Sequence, residues 1–363
     1  MYINPDLFIL IKSPALVIWN YQSHEQYSMD KSHSERLIEL LEKPSRFDPN
    51  HPVDSTLVTT GILSESPFAS AYWGWDDLSR IFHIGTRDLP QANLPANNAQ
   101  WARDYLAHCR DVMQRPQPQP HRHASALQQD MIHLPLPLPG HDDGSNVGFT
   151  SVLLQRKTCR KFLSWRVSLK HLSTVLYLSL GYLKEREHDI DPCIPEAFRA
   201  RRSSPSGGGL NCSEGYLYIR NVDGIGPGFY YYHPDQHALT LIRGLNTSLA
   251  MLVQGQHFIE NLPFGLFITC RFDKMWWKYP HSQGYRVALL EAGHISQTFQ
   301  LAATALGLKT WVTAALTERK IEQALRLEDL GEQPLLFVGA GYSHGESICD
   351  ELRELLKTSS ENL

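Results

Sequence analysis

The stretch that most constrains the fold is Arg201–Ile219, RRSSPSGGGLNCSEGYLYI. Pro205 and three consecutive glycines precede a run of tyrosine, leucine and isoleucine that predicts a strand. Glycines permit unusual backbone angles and let main-chain N–H groups approach a flat ligand closely. The stretch therefore predicts either a flexible loop or a binding turn that leads into a central strand.

The segments on both sides alternate between helix and strand patterns. FYYYHP, ALTLIRG, GLFITCRF, KTWVTA and PLLFVGAG predict strands, and the turn DGIGPG precedes the first of them. VSLKHLSTVLYLSLGYL and the alanine-rich run VALLEAGHISQTFQLAATALGL predict helices, and NTSLAMLVQGQ predicts a third. Together these elements predict a mixed α+β arrangement around a central sheet.

Composition narrows the class of protein. The chain has 363 residues, 42% of them hydrophobic, and a net charge of −4, so it carries no general attraction for nucleic acid or an anionic membrane. The six cysteines are scattered without a C-x-x-C pair, which predicts reduced thiols and neither a metal site nor a dithiol centre. No secretory signal or membrane span is visible, and we expect a cytoplasmic enzyme or binding protein.

A proline-rich segment divides the chain. Residues 114–148 contain QRPQPQP and LPLPLPG, which predict an extended connector between an N-terminal part, 1–113, and a C-terminal part, 149–363. In the first part, Asp30 or Ser32 can begin a helix and a second helix ends at Gly61. With a brief strand pair, this pattern predicts a winged-helix-like module for docking a peptide or partner.

Another predicted helix of the N-terminal part lies in SAYWGWDDLSRIFHIG. Trp75, Leu78 and Phe82 are expected to pack inward, and His83 and Thr86 to close the turn that follows. The alternative is that His83 and Thr86 are polar contacts to a ligand.

Two glycine-containing motifs are excluded as functional sites. GYSHG (341–345) has the nucleophile-elbow pattern, but no histidine follows it and only eighteen residues remain. GIGPG (224–228) has the wrong glycine spacing for a dinucleotide turn, and its proline would obstruct a helix start.

The basic run RKTCRKF (156–162) is the first of three segments with chemical character. Arg156, Lys157, Arg160 and Lys161, with the Thr158 hydroxyl, form a compact set of donors suited to a phosphate ester. A solvated surface is the alternative. The second segment is the glycine turn 201–219, and the third joins Lys278-Tyr279 to EAGHISQ (291–297), where Gly293 leaves a helix surface against which a flat ring can lie.

The aromatic cluster FDKMWWKYPHSQGYR (272–286) allows three interpretations: a nucleic-acid stacking surface, packed core or a catalytic loop. The net charge weakens the first. Trp276 and Trp277 fit either core or the wall of a substrate channel, and the sequence does not separate these two.

The sequence resembles the SagB-type dehydrogenases in the order and spacing of its motifs. These motifs are R-x-S/T-x-R, then PSGGG before E-x-Y, then KY before EAGH-x-x-Q and ALGL. The SagB-type dehydrogenases are azoline dehydrogenases of thiazole/oxazole-modified peptide pathways within the FMN-dependent nitroreductase-like superfamily. The resemblance covers about residues 150–345. It implies a nitroreductase-like central mixed or antiparallel sheet flanked by helices, FMN as cofactor, and a homodimer with FMN at the subunit interface. It also implies a modified precursor peptide as substrate and cyclodehydratase proteins as partners.

The resemblance also implies roles for particular residues. Arg156, Lys157, Thr158 and Arg160 would hold the FMN phosphate and ribityl chain, Ser206, Gly207 and Gly208 would touch the flavin, and Gly293 and Gln297 would lie along its ring. Lys278 and Tyr279 would be the catalytic pair. The implied reaction oxidises peptide thiazolines or oxazolines to thiazoles or oxazoles, with Lys278 as base and flavin N5 as hydride acceptor. Tyr279 would bind the developing anion or steer the lysine.

Two alternatives stay open at this stage. One is another flavin reaction on the same fold, either reduction of dehydroamino acids or NAD(P)H-dependent reduction of nitro compounds or quinones. The other is a non-catalytic scaffold that binds a peptide through the N-terminal module.

Overall fold

In a computed structural model of the protein, the described residues are 1–69, 76–86, 98–123, 130–136, 147–191, 193–327 and 330–360. The chain separates into two compact units, Met1–Leu106 and Ala107–Leu363. Within the described ranges, no helix is both long and apolar enough to cross a membrane.

The first unit combines short strands with three helices and part of a fourth. A three-stranded antiparallel sheet has the order β2-β3-β4, and β1 pairs with β5. Its elements are β1 (Tyr2–Ile3), β2 (Leu7–Lys12), β3 (Ala15–Asn20), β4 (Glu25–Met29), α1 (Lys31–Glu42), α2 (Pro52–Thr59), β5 (Leu63–Ser64), α3 (Asp77–Gly85) and the start of α4 (Asn98–Gln114). The helix start at Asp30 is confirmed, because its side chain accepts the His33 N–H.

The inward packing predicted for the helix that became α3 is wrong. Leu78 is 76% exposed and Phe82 is also exposed, while Trp75 lies outside the described residues. The side of α3 that packs in the first unit instead carries Arg80, which forms an ion pair with buried Asp6 at 2.7 Å. Whether this unit is a winged-helix-like docking module stays a prediction.

The second unit is built on one seven-stranded sheet with the order β11-β12-β10-β7-β8-β9-β6. Every neighbouring pair is antiparallel. The strands are β6 (Met131–His133), β7 (Ser213–Ile219), β8 (Gly228–His233), β9 (Ala238–Gly244), β10 (Phe264–Arg271), β11 (Lys309–Thr313) and β12 (Glu332–Gly341). Each strand pattern named from the sequence corresponds to one of these strands, although FYYYHP, GLFITCRF and KTWVTA each extend one residue beyond the end of the strand.

Helices cover both faces of this sheet. They are α5 (Phe149–Gln155), α6 (Leu169–Leu180), α7 (Leu249–Leu252), α8 (Phe272–Lys278), α9 (Gln283–Ala305), α10 (Glu318–Leu325) and α11 (Asp350–Ser360). Side chains alternate along β7, so Leu217 and Ile219 pack with α6 and α9, while Tyr216 and Tyr218 pack with α7 and α10. This arrangement confirms the predicted sheet flanked by helices.

Part of the proline-rich segment belongs to the second unit rather than to a free connector. Met131–His133 forms the edge strand β6 on β9. Further back, the His121 ring stacks on Tyr231 with centroids 4.2 Å apart, and its Nε2 lies 3.1 Å from the Tyr216 hydroxyl. The sequence did not predict β6, because a strand of three residues is too short to show the alternation of apolar and polar residues. The boundaries of the predicted domains stay predictions.

Candidate functional site

Lys278 is a buried lysine at the end of α8. Its side chain is fully buried, and its Nζ donates to the Gly208 carbonyl at 2.9 Å. Nζ also stands 4.1 Å from the centroid of the Phe198 ring. Burial lowers the pKa of Lys278 below its ordinary value. An amine in this setting loses its proton more readily than one in water.

The glycine turn brings its backbone against the pair Lys278-Tyr279. Gly208 has φ +61°, and a Cβ built on it would stand 2.3 Å from the Tyr279 hydroxyl and 2.9 Å from Lys278 Nζ. Any side chain at this position would collide with both groups, so glycine is required here for space as well as for backbone angle. The turn is thus packed closely against this pair, and its role in binding a ligand stays a prediction.

Tyr279 forms one wall of a cavity of about 560 Å³. The cavity is lined by residues that include Phe272, Met275, Trp276, Tyr279, His281 and Tyr285. Burial raises the pKa of Tyr279, so its hydroxyl keeps its proton at neutral pH. A cavity of this size with aromatic walls is suited to a flat or apolar group of a ligand.

The two neighbouring tryptophans have different environments. Trp276 is exposed and lines the cavity. Trp277 is buried, and its ring packs on Phe198 with centroids 6.1 Å apart. Successive residues of a helix point about 100° apart, so one tryptophan is a cavity wall and the other is core.

The long helix α9 supports the turn from the other side. Glu291 is buried, and its carboxylate accepts the N–H groups of Gly207 at 3.3 Å and Ser213 at 3.0 Å. A Cβ at Gly207 would stand 2.4 Å from Val287 Cγ1, which shows how closely the turn lies on the helix. Sequence reasoning missed Glu291, although an acidic residue within an apolar, alanine-rich helix is a signal that could have been used.

The helix α9 extends from the glycine turn toward the basic segment. Gly293 and Gln297 are exposed and four residues apart, so they lie on the same face. Gln300, three residues further on, accepts from Arg156 Nη1 at 3.5 Å. Between Val287 and Gln300 the helix rises about 20 Å. The glycine turn and Arg156 thus contact α9 at two places along its length, and at about 100° per residue Val287 and Gln300 point to different sides of the helix.

The basic segment is partly engaged by protein groups. Arg160 donates to the Ser347 carbonyl at 2.7 Å, and Lys161 forms an ion pair with Asp350 at 2.7 Å. Thr158 bridges to Thr310 of β11 through the backbone. Lys157 is exposed, with its Nζ near Gly345. Arg160 and Lys161 are therefore held by other parts of the domain. The side chains of Arg156 and Lys157 are held less firmly by the contacts described here.

A second buried charge cluster lies one turn before Lys278. Lys274 forms an ion pair with the buried carboxylate of Glu214 at 2.8 Å, and Tyr231 donates to the same carboxylate at 3.0 Å. Burial raises the pKa of Glu214, but Lys274 above all lowers it, to about 2. This ion pair was not predicted from the sequence.

The antiparallel sheet with its flanking helices and the glycine turn beside α9 define the class of protein. Residues 153–342 match the model of the nitroreductase family, which is more than half of the chain. The chain therefore belongs to the nitroreductase family, and the resemblance stated from its motifs is confirmed.

Several named proteins are similar to this chain. MJ1384 of Methanocaldococcus jannaschii, named for the same family, is 28% identical over 58% of this chain and 97% of its own length. The trifolitoxin-processing protein TfxB of Rhizobium leguminosarum bv. trifolii is 33% identical over 37% of this chain and 38% of its own. The microcin B17-processing protein McbC of Escherichia coli is 32% identical over 39% of this chain and 54% of its own.

Solved structures with a similar fold include the Escherichia coli microcin synthetase McbBCD complex with truncated pro-MccB17 bound. A chain of that complex has a TM-score of 0.44 and 22% identity, covering 74% of this chain and 92% of that one. A nitroreductase-like protein of Ralstonia eutropha JMP134 has a TM-score of 0.48 and 23% identity, covering 63% of this chain and 96% of that one. These likenesses concern the fold alone.

Proposed function

We propose that the protein is an FMN-dependent dehydrogenase that oxidises thiazolines or oxazolines in a ribosomally made peptide to thiazoles or oxazoles. The observation that carries the proposal is Lys278, a buried lysine of lowered pKa that is next in sequence to Tyr279, a residue lining the aromatic cavity. Relatives named for processing microcin B17 and trifolitoxin support a peptide substrate.

Residues of the basic segment, the glycine turn and α9 fit FMN. Arg156 and Lys157 supply cations for a phosphate, with the Thr158 hydroxyl and Arg160 beside them. The exposed, side-chain-poor surface at Gly293, where a built Cβ meets no atom within 4 Å, suits a flat ring. Ser206, Gly207 and Gly208 would contact the flavin, and Gln297 would lie along its ring. When bound, FMN would supply the hydride acceptor.

The chain's own groups account for the proton. The Cα–H of an azoline is acidic because it lies next to an imine-like carbon and a carbonyl. Lys278, in its neutral form, would take this proton at Nζ while the Cβ hydrogen leaves as a hydride, so each ring loses two hydrogens and two electrons. The Gly208 carbonyl holds Nζ at 2.9 Å and would stabilise the ammonium that forms.

Tyr279 is proposed to assist this step from the cavity wall. Its hydroxyl lies against the Gly208 Cα and keeps its proton at neutral pH because burial raises its pKa. A protonated phenol can donate to the charge that develops on the substrate. The aromatic side chains around it would exclude water from the reacting ring.

Several features of the working protein belong to the same proposal. The exposed face at Gly293 and Gln297 would be covered in a homodimer whose two copies share the flavin site. Cyclodehydratase proteins would supply the azoline, and the N-terminal unit would dock the peptide or one of these partners. The proposed location is the cytoplasm, where cysteines stay reduced.

The test is mass spectrometry of a cyclodehydrated precursor peptide incubated with the purified protein and FMN. We expect about 2 Da lost per ring, because one proton and one hydride leave, together with flavin absorbance in the protein. Parallel incubations offer a nitroaromatic compound or a quinone with NAD(P)H, and a dehydroalanine peptide. Turnover of one of these with intact azolines would support the alternative reductases, and a colourless protein that gains nothing from FMN would support a scaffold.

A further inference from the structure

Glu291 is a buried carboxylate that the reaction proposed above does not use. It is only 2% exposed and lies on α9 facing the glycine turn. One oxygen accepts the N–H of Gly207 and the other accepts the N–H of Ser213. These donors stand at the two ends of the segment 207–213, so a single carboxylate closes that segment against the helix.

The segment has internal hydrogen bonds that shape it locally. The N–H of Gly209 donates to the Ser206 carbonyl at 3.2 Å, and the N–H of Asn211 donates to the Ser206 hydroxyl at 2.8 Å. These bonds fix the curvature of the turn but do not tie it to α9. The Glu291 carboxylate makes that connection at both ends, and Val287 fills the space beside Gly207.

The carbonyl that holds Lys278 belongs to the residue after Gly207. A shift of the Gly207 end would therefore move the Gly208 carbonyl relative to Nζ, which lies 2.9 Å away. Hydrogen bonds weaken steeply when their distance or angle departs from the preferred range. The position of the Lys278 amine thus depends on the Glu291 carboxylate through the glycine turn.

We propose that Glu291 is a positioning residue, which closes the segment 207–213 and thereby fixes the Gly208 carbonyl that orients the Lys278 amine. The proposal rests on the proposed role of Lys278 as the base. It requires a carboxylate specifically, because a glutamine amide of the same shape offers one acceptor oxygen instead of two.

The first test is Glu291→Gln with hydrogen exchange measured on the protein without added cofactor or substrate. Amide exchange at Gly207 or Ser213 should become about tenfold faster, as expected for the loss of one hydrogen bond to a charged group. The control is Glu318→Gln, the same change at an exposed position on α10. Unchanged exchange at both amides would overturn the closure of the segment by Glu291.

The second test follows the Lys278 amine directly. In protein labelled with nitrogen-15 at lysine, the Nζ resonance that Lys278→Met removes should shift in Glu291→Gln and stay unchanged in Glu318→Gln. A Lys278 resonance identical to that of the wild type would overturn the positioning role. Where Glu291→Gln fails to fold, Glu291→Asp, which keeps both oxygens on a shorter side chain, should give smaller shifts of the same kind.

Activity separates this proposal from the proposed function. With a cyclodehydrated peptide, Glu291→Gln should lower kcat about tenfold and leave KM unchanged, because substrate binding is retained while the base is misplaced. Unchanged kcat despite faster exchange would overturn the role in catalysis. A wild-type protein that binds FMN but leaves azolines intact would refute the proposed function instead, and the exchange and resonance measurements would still decide the role of Glu291.

Discussion

Two lysines one turn apart on α8, Lys274 and Lys278, have different electrostatic surroundings. Lys274 pairs with the buried carboxylate of Glu214 at 2.8 Å. Burial lowers the pKa of Lys274, but the Glu214 charge more than offsets this, and the net pKa is raised. Lys278 donates to a backbone carbonyl, and burial lowers its pKa. The first is held as an ammonium ion, and the second can give up its proton.

Residue type and spacing alone therefore do not decide how readily each of these lysines loses its proton. Residues four apart on a helix lie on the same side, so both lysines face the segment 207–214. What differs is the group each meets there: Glu214 at the start of β7 for Lys274, and the Gly208 carbonyl for Lys278. A neutral acceptor favours the ammonium less than a carboxylate does.

The largest effect is expected from the same substitution made at each lysine. Lys278→Met removes the proposed base while retaining most of the buried stem, and should slow azoline oxidation by about 10²–10⁴-fold. Lys274→Met breaks the ion pair with Glu214 and should lower the free energy of unfolding, with the rate of the folded protein close to that of the wild type. The measurements are the rate of the 2 Da loss and denaturant unfolding.

The same two variants can contradict the assignment of different roles to Lys274 and Lys278. If both substitutions slow oxidation equally and neither changes flavin binding, the buried charge cluster as a whole supports catalysis and the assignment of the base to Lys278 is wrong.

The next effect concerns the carbonyl that Lys278 meets. Gly208→Ala would force a Cβ to within 2.9 Å of Lys278 Nζ and 2.3 Å of the Tyr279 hydroxyl, and should slow oxidation about 100-fold. The matched control is Gly224→Ala, where φ is +74° and no atom lies within 4 Å of the new Cβ. Both variants bear a left-handed backbone cost of about 1–2 kcal/mol, and Gly208→Ala adds the collision with buried groups. We therefore expect a larger loss of thermal stability for Gly208→Ala than for Gly224→Ala, together with a large difference in the rate of the folded protein.

The pattern of strands and helices in the second unit was predictable from the sequence because these elements are long enough to show a period. The strands GLFITCRF and PLLFVGAG and the alanine-rich helix are examples. The helix NTSLAMLVQGQ was predicted too long, since only Leu249–Leu252 is helical. Helix α8 went unrecognised because seven residues rich in aromatics give no clear period.

The arrangement of the candidate site was only partly predictable. The motifs marked the glycine turn and Lys278-Tyr279 separately, but the hydrogen bond from Lys278 to Gly208 joins residues 70 positions apart. Glu291 reaches Gly207 across 84 positions. Such contacts are set by how α9 packs beside the sheet, which no local pattern encodes. The different environments of Trp276 and Trp277 could likewise not be predicted, because they follow from a helix, α8, that the sequence did not reveal.

The smallest expected effect is on the pH dependence of the free energy of unfolding. It tests whether Lys274 is held in an ion pair by Glu214. The pKa of Glu214 is lowered from its ordinary value of 4.5 to about 2 in the folded protein. Its contribution to stability is therefore full above about pH 4.5 and is lost as the pH falls toward 2. Between pH 7 and pH 4 the protonation of this carboxylate should lower the free energy of unfolding by about 1 kcal/mol.

The measurement compares Glu214→Gln with the wild type in denaturant unfolding at both pH values. Because Glu214→Gln lacks this titration, its deficit in unfolding free energy should shrink by that amount at pH 4, while Glu318→Gln should follow the wild type. A deficit that stays constant from pH 7 to pH 4 would mean that Glu214 does not stabilise Lys274 as an ion pair, and the distinction between the two lysines would then rest on Lys278 alone.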